Sequence, residues 1–491
     1  MLITTWLACR PDLELTDLGE AGAHGRHLAV PDQDEPVWVE CTSPDDPEEQ
    51  HLAEAPASSP AEVELFGLLA DTEYTCVAHA RRAEGEVTFR TAPLPERVEW
   101  TVTGQTTGYT LFNTQSGVLS DDENHAWVLV IDPEGQVRWS YDVGVDLICD
   151  IDAQHHPATG PDDPEGFHVG GGWASFSKNQ SNRGVFLDLD LAGRVVLERT
   201  MTGEGRGFNH HSERLADGST LSLLGGINAV GDHSWIGVEV EWWSPAAGVT
   251  WSWTSQTLVD RGVLAEPQGD TRAPYTANAV AVVEDPWGSA AWVSAYTKRE
   301  LWRIDRDTGD RTHLIPDEFT VWDTRGVPLP PESFTYDQHD PEWSDGPFGP
   351  DTRVLMYDNG NGRPGGSFSR VVEFDVDLDQ RRLVELWDWT EPGWWNPTLG
   401  DADRLEDGHV LVAKGFNLSR SEGSDDVAAL VELDAPIVGG DEDPPAAVET
   451  WRVAWEDQTW NLYRAERIGP CDLFDNARYC EDTGRRLSEL R

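Results

Sequence analysis

Short runs in which apolar and polar residues alternate dominate this chain, and that period of two predicts β-strands. Between about residues 13 and 95 the runs fall at 27–30, 37–41, 61–65, 74–80 and 87–91, a pattern that predicts a small antiparallel β-sandwich. From Trp100 onward the pattern lengthens. The apolar run 126–131 leads into the turn sequence Asp132-Pro133-Glu134-Gly135 and a second run from Gln136, which predicts a hairpin. The same logic recurs at 184–196, 300–310 and 370–387. Hairpins spaced at roughly 45 to 65 residues match a four-stranded blade carrying long loops, and about six such units fit between Trp100 and Pro470. The expected architecture is all-β: a six-bladed β-propeller over 97–470, preceded by the sandwich over 13–96 and followed by a tail over 471–491.

Composition narrows the partners. Against 36 Lys+Arg stand 89 Asp+Glu, a formal charge of −53. Nucleic acid is thereby excluded, because a phosphate footprint needs a basic face that releases counterions. The acid is read as solubility rather than as a docking face for a cationic partner. The 23 tryptophans are expected as apolar wedges between blades. No stretch of 18 apolar residues exists, so no spanning helix is expected. Among six cysteines, Cys41 with Cys76 and Cys471 with Cys480 read as two disulfides, and Cys149 as a buried thiol. The opening Met1-Leu2-Ile3-Thr4-Thr5-Trp6-Leu7-Ala8-Cys9 resembles the end of a bacterial lipoprotein signal without its basic region. That makes 1–12 a signal remnant or anchor with lipidation at Cys9, and the expected location is exported: periplasmic, outer-membrane or extracellular.

Candidate chemistry lies in three stretches of similar design, 209–218, 338–342 and 401–408, each ahead of an apolar strand. Equivalent residues of repeated sheet units fall at the same radius and height, so histidines in two of these stretches are expected to converge on a central pocket. His339, between Asp337 and Asp340, is the best candidate for a nucleophile or general base, with a carboxylate expected to orient its ring. His211 is its sister. His210-His211 lacks the second cluster a zinc site needs, and the acidic loop 162–165 lacks the spacing of a calcium loop, so no metal or other cofactor is expected, calcium being the weakly supported exception. His155-His156 reads as an exposed pair in a loop, and His168 has no assigned part. After the strand ending at Tyr357 comes Asp358-Asn359-Gly360-Asn361-Gly362-Arg363, whose glycines are turn formers and whose Arg363, like Arg370, suits an anion.

Two resemblances bear on these residues. The stretch from Gly67 to Tyr74 is similar to the corner of a fibronectin type III sandwich, with Ala70 where proline is usual. Over roughly residues 108–455 the chain resembles the bacterial arylsulfate sulfotransferases, which take sulfate from a phenolic ester rather than from a nucleotide. The likeness is carried by Gly108-Tyr109-Thr110-Leu111-Phe112-Asn113, by His210-His211 before Leu-x-Asp-Gly, by Gln338-His339-Asp340, by Asp358-Asn359-Gly360-Asn361 with Arg363, and by Ser369-Arg370-Val371-Val372-Glu373-Phe374. It implies a six-bladed propeller with a small β domain in front, export, and ping-pong transfer through a sulfohistidine at His339. It also implies a second histidine at His211 or its neighbour, and substrate contacts at His210, Asn278, Thr276, Tyr296, Asn359 and Arg363. The chain departs from the family where Thr276 replaces a histidine and Tyr296 an arginine. The expected function is therefore transfer of a sulfuryl group from a phenolic ester to a phenol. The rival is a non-catalytic surface propeller that binds an aromatic or anionic ligand or a partner protein; a different enzyme on the same hub is the third reading.

Overall fold

The computed structural model describes residues 15–490 apart from 23, 31–35, 56, 58–60, 81–82, 95–98, 117–125, 144–148, 160–162, 174–182, 203–205, 231–232, 268–274, 286–287, 331–332, 345–351, 416–427, 437–445 and 456–459. Cys9 and the segment 1–12 lie outside the described residues, as does the side chain of Cys149. The protein is all-β, with antiparallel sheets throughout and one parallel pairing, Thr320–Asp323 on Arg382–Trp389. Among the described residues no helix is long and apolar enough to cross a membrane.

The alternating runs near the N-terminus form two sheets. One holds Thr16–Glu20, Arg26–Val30 and Ala61–Leu65; the other holds Gln50–Ala55, Val37–Thr42, Glu73–Ala80 and Ala83–Arg90. Every second residue turns inward, so Leu28, Val39, Val63 and Tyr74 make one core. Cys41 and Cys76, partners across Val37–Thr42 and Glu73–Ala80, form a disulfide.

Six further sheets of four or five strands follow in chain order, each built mainly by antiparallel neighbours in sequence. Their edge strands are Trp460–Ile468, Cys149–His156, Arg206–Arg214, Ala279–Asp285, Gln338–Trp343 and Asp401–Arg404. Each of these six touches the next, and the last touches the first, so they form a closed circuit. The two ends of the chain interlock. The late strand Trp460–Ile468 pairs with Tyr109–Ser116 in the first sheet, and the early strand Trp100–Gly104 pairs with Val448–Trp455 in the sixth. Tryptophans fasten neighbouring sheets: Trp139 Nε1 donates to Leu191 O, Trp253 Nε1 to Gly309 O and Trp451 Nε1 to Pro133 O, at 2.8, 3.0 and 3.0 Å. An indole suits that position because its body fills the wedge while its one donor finds a carbonyl.

Two sequence expectations change. The histidine stretches, expected at the entry to an apolar first strand, are edge strands themselves, and the apolar runs are the second strands of their sheets. A bulge breaks their alternation, which is why they read as irregular. His155-His156 is likewise on an edge strand, with His156 buried, because the polar loop begins only after it.

After the last strand, Cys471 and Cys480 form a second disulfide ahead of the helix Glu481–Leu490. This tail lies against the sandwich: Leu52 N–H donates to Asp475 O and Ala477 N–H to Gln50 O.

Candidate functional site

Four of the six edge strands are bulged at one level. Register shifts lie between Cys149 and Asp152, Phe208 and Ser212, His339 and Glu342, and Leu462 and Ala465. Three polar residues there take left-handed backbone, His210 at φ 71°, Asp337 at 59° and Asp340 at 41°. Histidine and aspartate tolerate that region better than branched residues do. Bulges re-aim side chains, and these bring four rings together. His210 lies 6.1 Å from His339, 6.3 Å from Tyr296 and 5.9 Å from Tyr463, centroid to centroid. His339 lies 5.8 Å from Tyr296 and 6.2 Å from Tyr463.

His339 is buried, and its Nδ1 stands 2.5 Å from Asn359 Oδ1. The Asn359 amide cannot be the other way round, since its Nδ2 donates to the carbonyls of Asn396 and Leu399, both at 2.9 Å. Asn359 therefore offers an acceptor and Nδ1 carries a proton, which in the neutral ring places the lone pair on Nε2. The orienting group differs from the expected carboxylate: Asp337 pairs with Arg299 and Asp340 with Arg464. An amide carbonyl holds the ring without the pull toward imidazolium that a carboxylate exerts.

The remaining expected residues take other places. Of the histidine pair it is His210 whose ring faces His339. The His211 Nδ1 lies 3.5 Å from both Asp152 and Arg464, and burial pushes the ring down to about 4, Asp152 opposing and Arg464 adding, so it is neutral. Asn278 donates to Gln338 O at 2.6 Å, which pins the strand of His339. The backbone of Thr276 bonds Thr297 Oγ1 at 3.1 Å. Arg363 pairs with Asp358 and stacks on Tyr336 and Phe368, and Lys298 lies over Tyr275. His168 links sheets: its Nδ1 meets Asp188 and its Nε2 meets Ser212 Oγ, each at 2.6 Å, in a buried chain beside His211.

Sequence reading missed Arg464 and Tyr463, on the late strand that closes the first sheet. Arg464 is the guanidinium of the hub. It pairs with Asp340, lies 3.5 Å from Asp401 and donates to Asn278 O at 3.3 Å. The spacing signal was the strand pattern 460–468 itself, which carries no motif.

Around Arg464 the strands turn acidic. Asp152, Asp340 and Asp401 lie on three of the edge strands; Glu342 and Asp403 follow Asp340 and Asp401 by two residues, as Glu213 and Glu466 follow His211 and Arg464. All seven line a cavity of about 700 Å³ together with His211 and Arg464. Burial pushes Glu213, Asp401 and Glu466 up to about 7, with Asp152 adding to each, and raises Asp403 well above its ordinary value with help from Asp401.

No curated protein matches the chain. Among solved structures it is similar to a candidate 6-phosphogluconolactonase of Bacteroides fragilis, at 11% identity over 69% of this chain and 80% of that one, TM-score 0.37. It is also similar to a Bacillus licheniformis rhamnogalacturonan lyase, at 10% over 82% and 73%, TM-score 0.27, and to a Synechocystis apocarotenoid oxygenase, at 11% over 94% and 97%, TM-score 0.32. Those scores are too low to bear on fold or activity. Residues 289–437, which hold Tyr296, His339, Asn359 and the strand of Asp401, match the family model of the arylsulfotransferases (ASST).

Proposed function

We propose that this protein is an exported six-bladed β-propeller that moves a sulfuryl group from a phenolic sulfate ester to a phenol, with the small sandwich in front as an adaptor. The closed circuit of edge strands supports the propeller, and the two disulfides suit an oxidising compartment. The observation that carries the reaction is the hydrogen bond from His339 to Asn359, which leaves Nε2 as an unprotonated nucleophile.

In the first step the Nε2 lone pair attacks sulfur, the bond from sulfur to the aryl oxygen breaks, and a phenolate leaves. In the second, the oxygen of an acceptor phenol attacks the same sulfur as its proton passes to solvent, the sulfur–nitrogen bond breaks, and His339 regains its lone pair. His210, Tyr296 and Tyr463 surround the ring and can donate to the sulfuryl oxygens or stack on the phenol.

A second reading keeps the fold without the reaction, as a surface propeller binding an aromatic or anionic ligand or a partner protein. It is favoured by Arg464, whose charge is already met by Asp340 and faced by Asp401. Losing free cationic donors at such a centre weakens transition-state stabilisation by about 3 kcal/mol each. Incubation with p-nitrophenyl sulfate separates the two. Transfer predicts acceptor-dependent phenol release and a labile sulfuryl adduct on His339 by intact mass. His339→Ala is expected to lower the rate by about 10³-fold or more. Unchanged transfer in that variant removes His339 as the nucleophile, and silence of the wild type across esters removes the enzyme reading.

A further inference from the structure

The histidines and tyrosines occupy one level of the channel; the cavity that continues along the edge strands has a different chemistry. Its seven carboxyl groups meet one arginine. Ala279, Val280, Val282 and Trp343 add apolar lining. We propose that this chamber binds the primary ammonium group of an organic cation, a function separate from sulfuryl transfer.

Three observations lead there. First, one oxygen each from Asp340, Asp401 and Asp403 lie within 4.8 Å of one another. A tetrahedral ammonium donating three hydrogen bonds of about 2.8 Å needs acceptors about 4.6 Å apart, so the tripod fits it. Second, Asp401 is 3% exposed, and its Oδ1 has no hydrogen-bond partner; it faces Arg464 at 3.5 Å and lines the cavity, while Oδ2 takes the Ala465 N–H. A buried carboxylate oxygen left without a donor calls for one from a ligand. Third, the cavity holds about 700 Å³, room for an organic molecule, and half of its wall is carbon. A bare calcium ion wants six to eight oxygens around it, whereas the point of convergence here brings one oxygen from each of three carboxyl groups.

Electrostatics agrees with this assignment. Glu342 and Glu466 take backbone N–H groups of Arg404 and His155, both at about the length of a charge-assisted bond, 2.6 and 2.7 Å. Among the described residues no arginine, lysine or histidine side chain pairs with Glu213 or Asp403. Crowded carboxyls of this kind hold on to protons, and a bound cation would release them.

Isothermal titration of the full-length protein at pH 8 and low salt tests the proposal with three probes of one shape: benzylamine, benzyl alcohol and benzoate. Benzylamine is expected to bind at least roughly tenfold more tightly than benzyl alcohol, and benzoate not measurably. Asp403→Asn should bring the amine to within about threefold of the alcohol, and Glu466→Gln, read independently, should move it the same way. Equal binding of amine and alcohol by the wild type overturns the proposal, a comparison that needs no variant. So does a preference that both variants retain, or calcium binding to a chamber that ignores benzylamine. No sulfate ester is present in these titrations, so failure of the transfer reaction leaves their result standing.

Discussion

At the residue scale, two titratable groups with opposite shifts stand side by side on the edge strand Arg206–Arg214. His211 sits below its ordinary pKa and Glu213, two residues on, above its own, and burial is the first cause of both. Glu213 gives the cleaner prediction. Its folded pKa of about 7 exceeds the unfolded value of about 4.5, so folding takes up a proton between them. Its contribution to stability is fully present below about 4.5 and lost as pH rises through about 7. Glu213→Gln is therefore expected to leave urea unfolding unchanged near pH 4.5 and to stabilise the protein by about 1–3 kcal/mol at pH 8. An equal effect at both pH values would sink this account. The histidines of the hub were visible in the sequence because they stand beside acids in repeated stretches. Arg464 was not, because its neighbours in space, Asp340 and Asp401, come from other sheets, and nothing local in 460–468 marks it.

At the scale of the element, hairpins were legible and bulges were not. A strand announces itself by alternation, and a bulge erases that signal at the positions where it turns a side chain toward a site. The segment after Arg353–Asp358 shows how a loop then finishes the work. Asn359 is held by carbonyls of Asn396 and Leu399, and Ser369 Oγ donates to Asn359 O at 3.1 Å. The turn depends on Gly360, at φ 73°, where an added Cβ would stand 1.7 Å from Phe368 O. That oxygen belongs to the backbone and cannot step aside. Gly360→Ala is expected to open the loop, lower stability by about 1–3 kcal/mol and, by carrying Asn359 away from His339, reduce sulfuryl transfer at least about tenfold. Thermal unfolding and single-turnover release from p-nitrophenyl sulfate measure the two effects. A destabilised variant with normal turnover would separate the loop from the nucleophile's orientation.

For the whole molecule, pattern reading foresaw an all-β chain of repeated antiparallel sheets but not what joins them to the N-terminal sheets. Arg138, on Val137–Asp142, is fully buried and reaches three regions at once. It donates to Asp132 at 2.7 Å in its own sheet, to Glu49 at 3.1 Å and Gly67 O at 3.1 Å in the sandwich, and to Tyr479 Oη at 3.3 Å in the tail. Such a pair is weak evidence of net stability, because both charges left water to form it, yet removing one partner strands the other. Arg138→Met should then cost about 3–5 kcal/mol, while Arg138→Met with Glu49→Gln should recover part of that loss. The location of the damage is the sharper test. If Arg138 is the joint, hydrogen exchange in Arg138→Met rises first in the sandwich strands and around Asn476, whose amide also holds Glu49, before the strands of the hub respond. Exchange that rises uniformly would mean the sandwich and the sheets unfold as one unit, held by the apolar contacts of Phe66, Phe474 and Tyr109 rather than by this guanidinium.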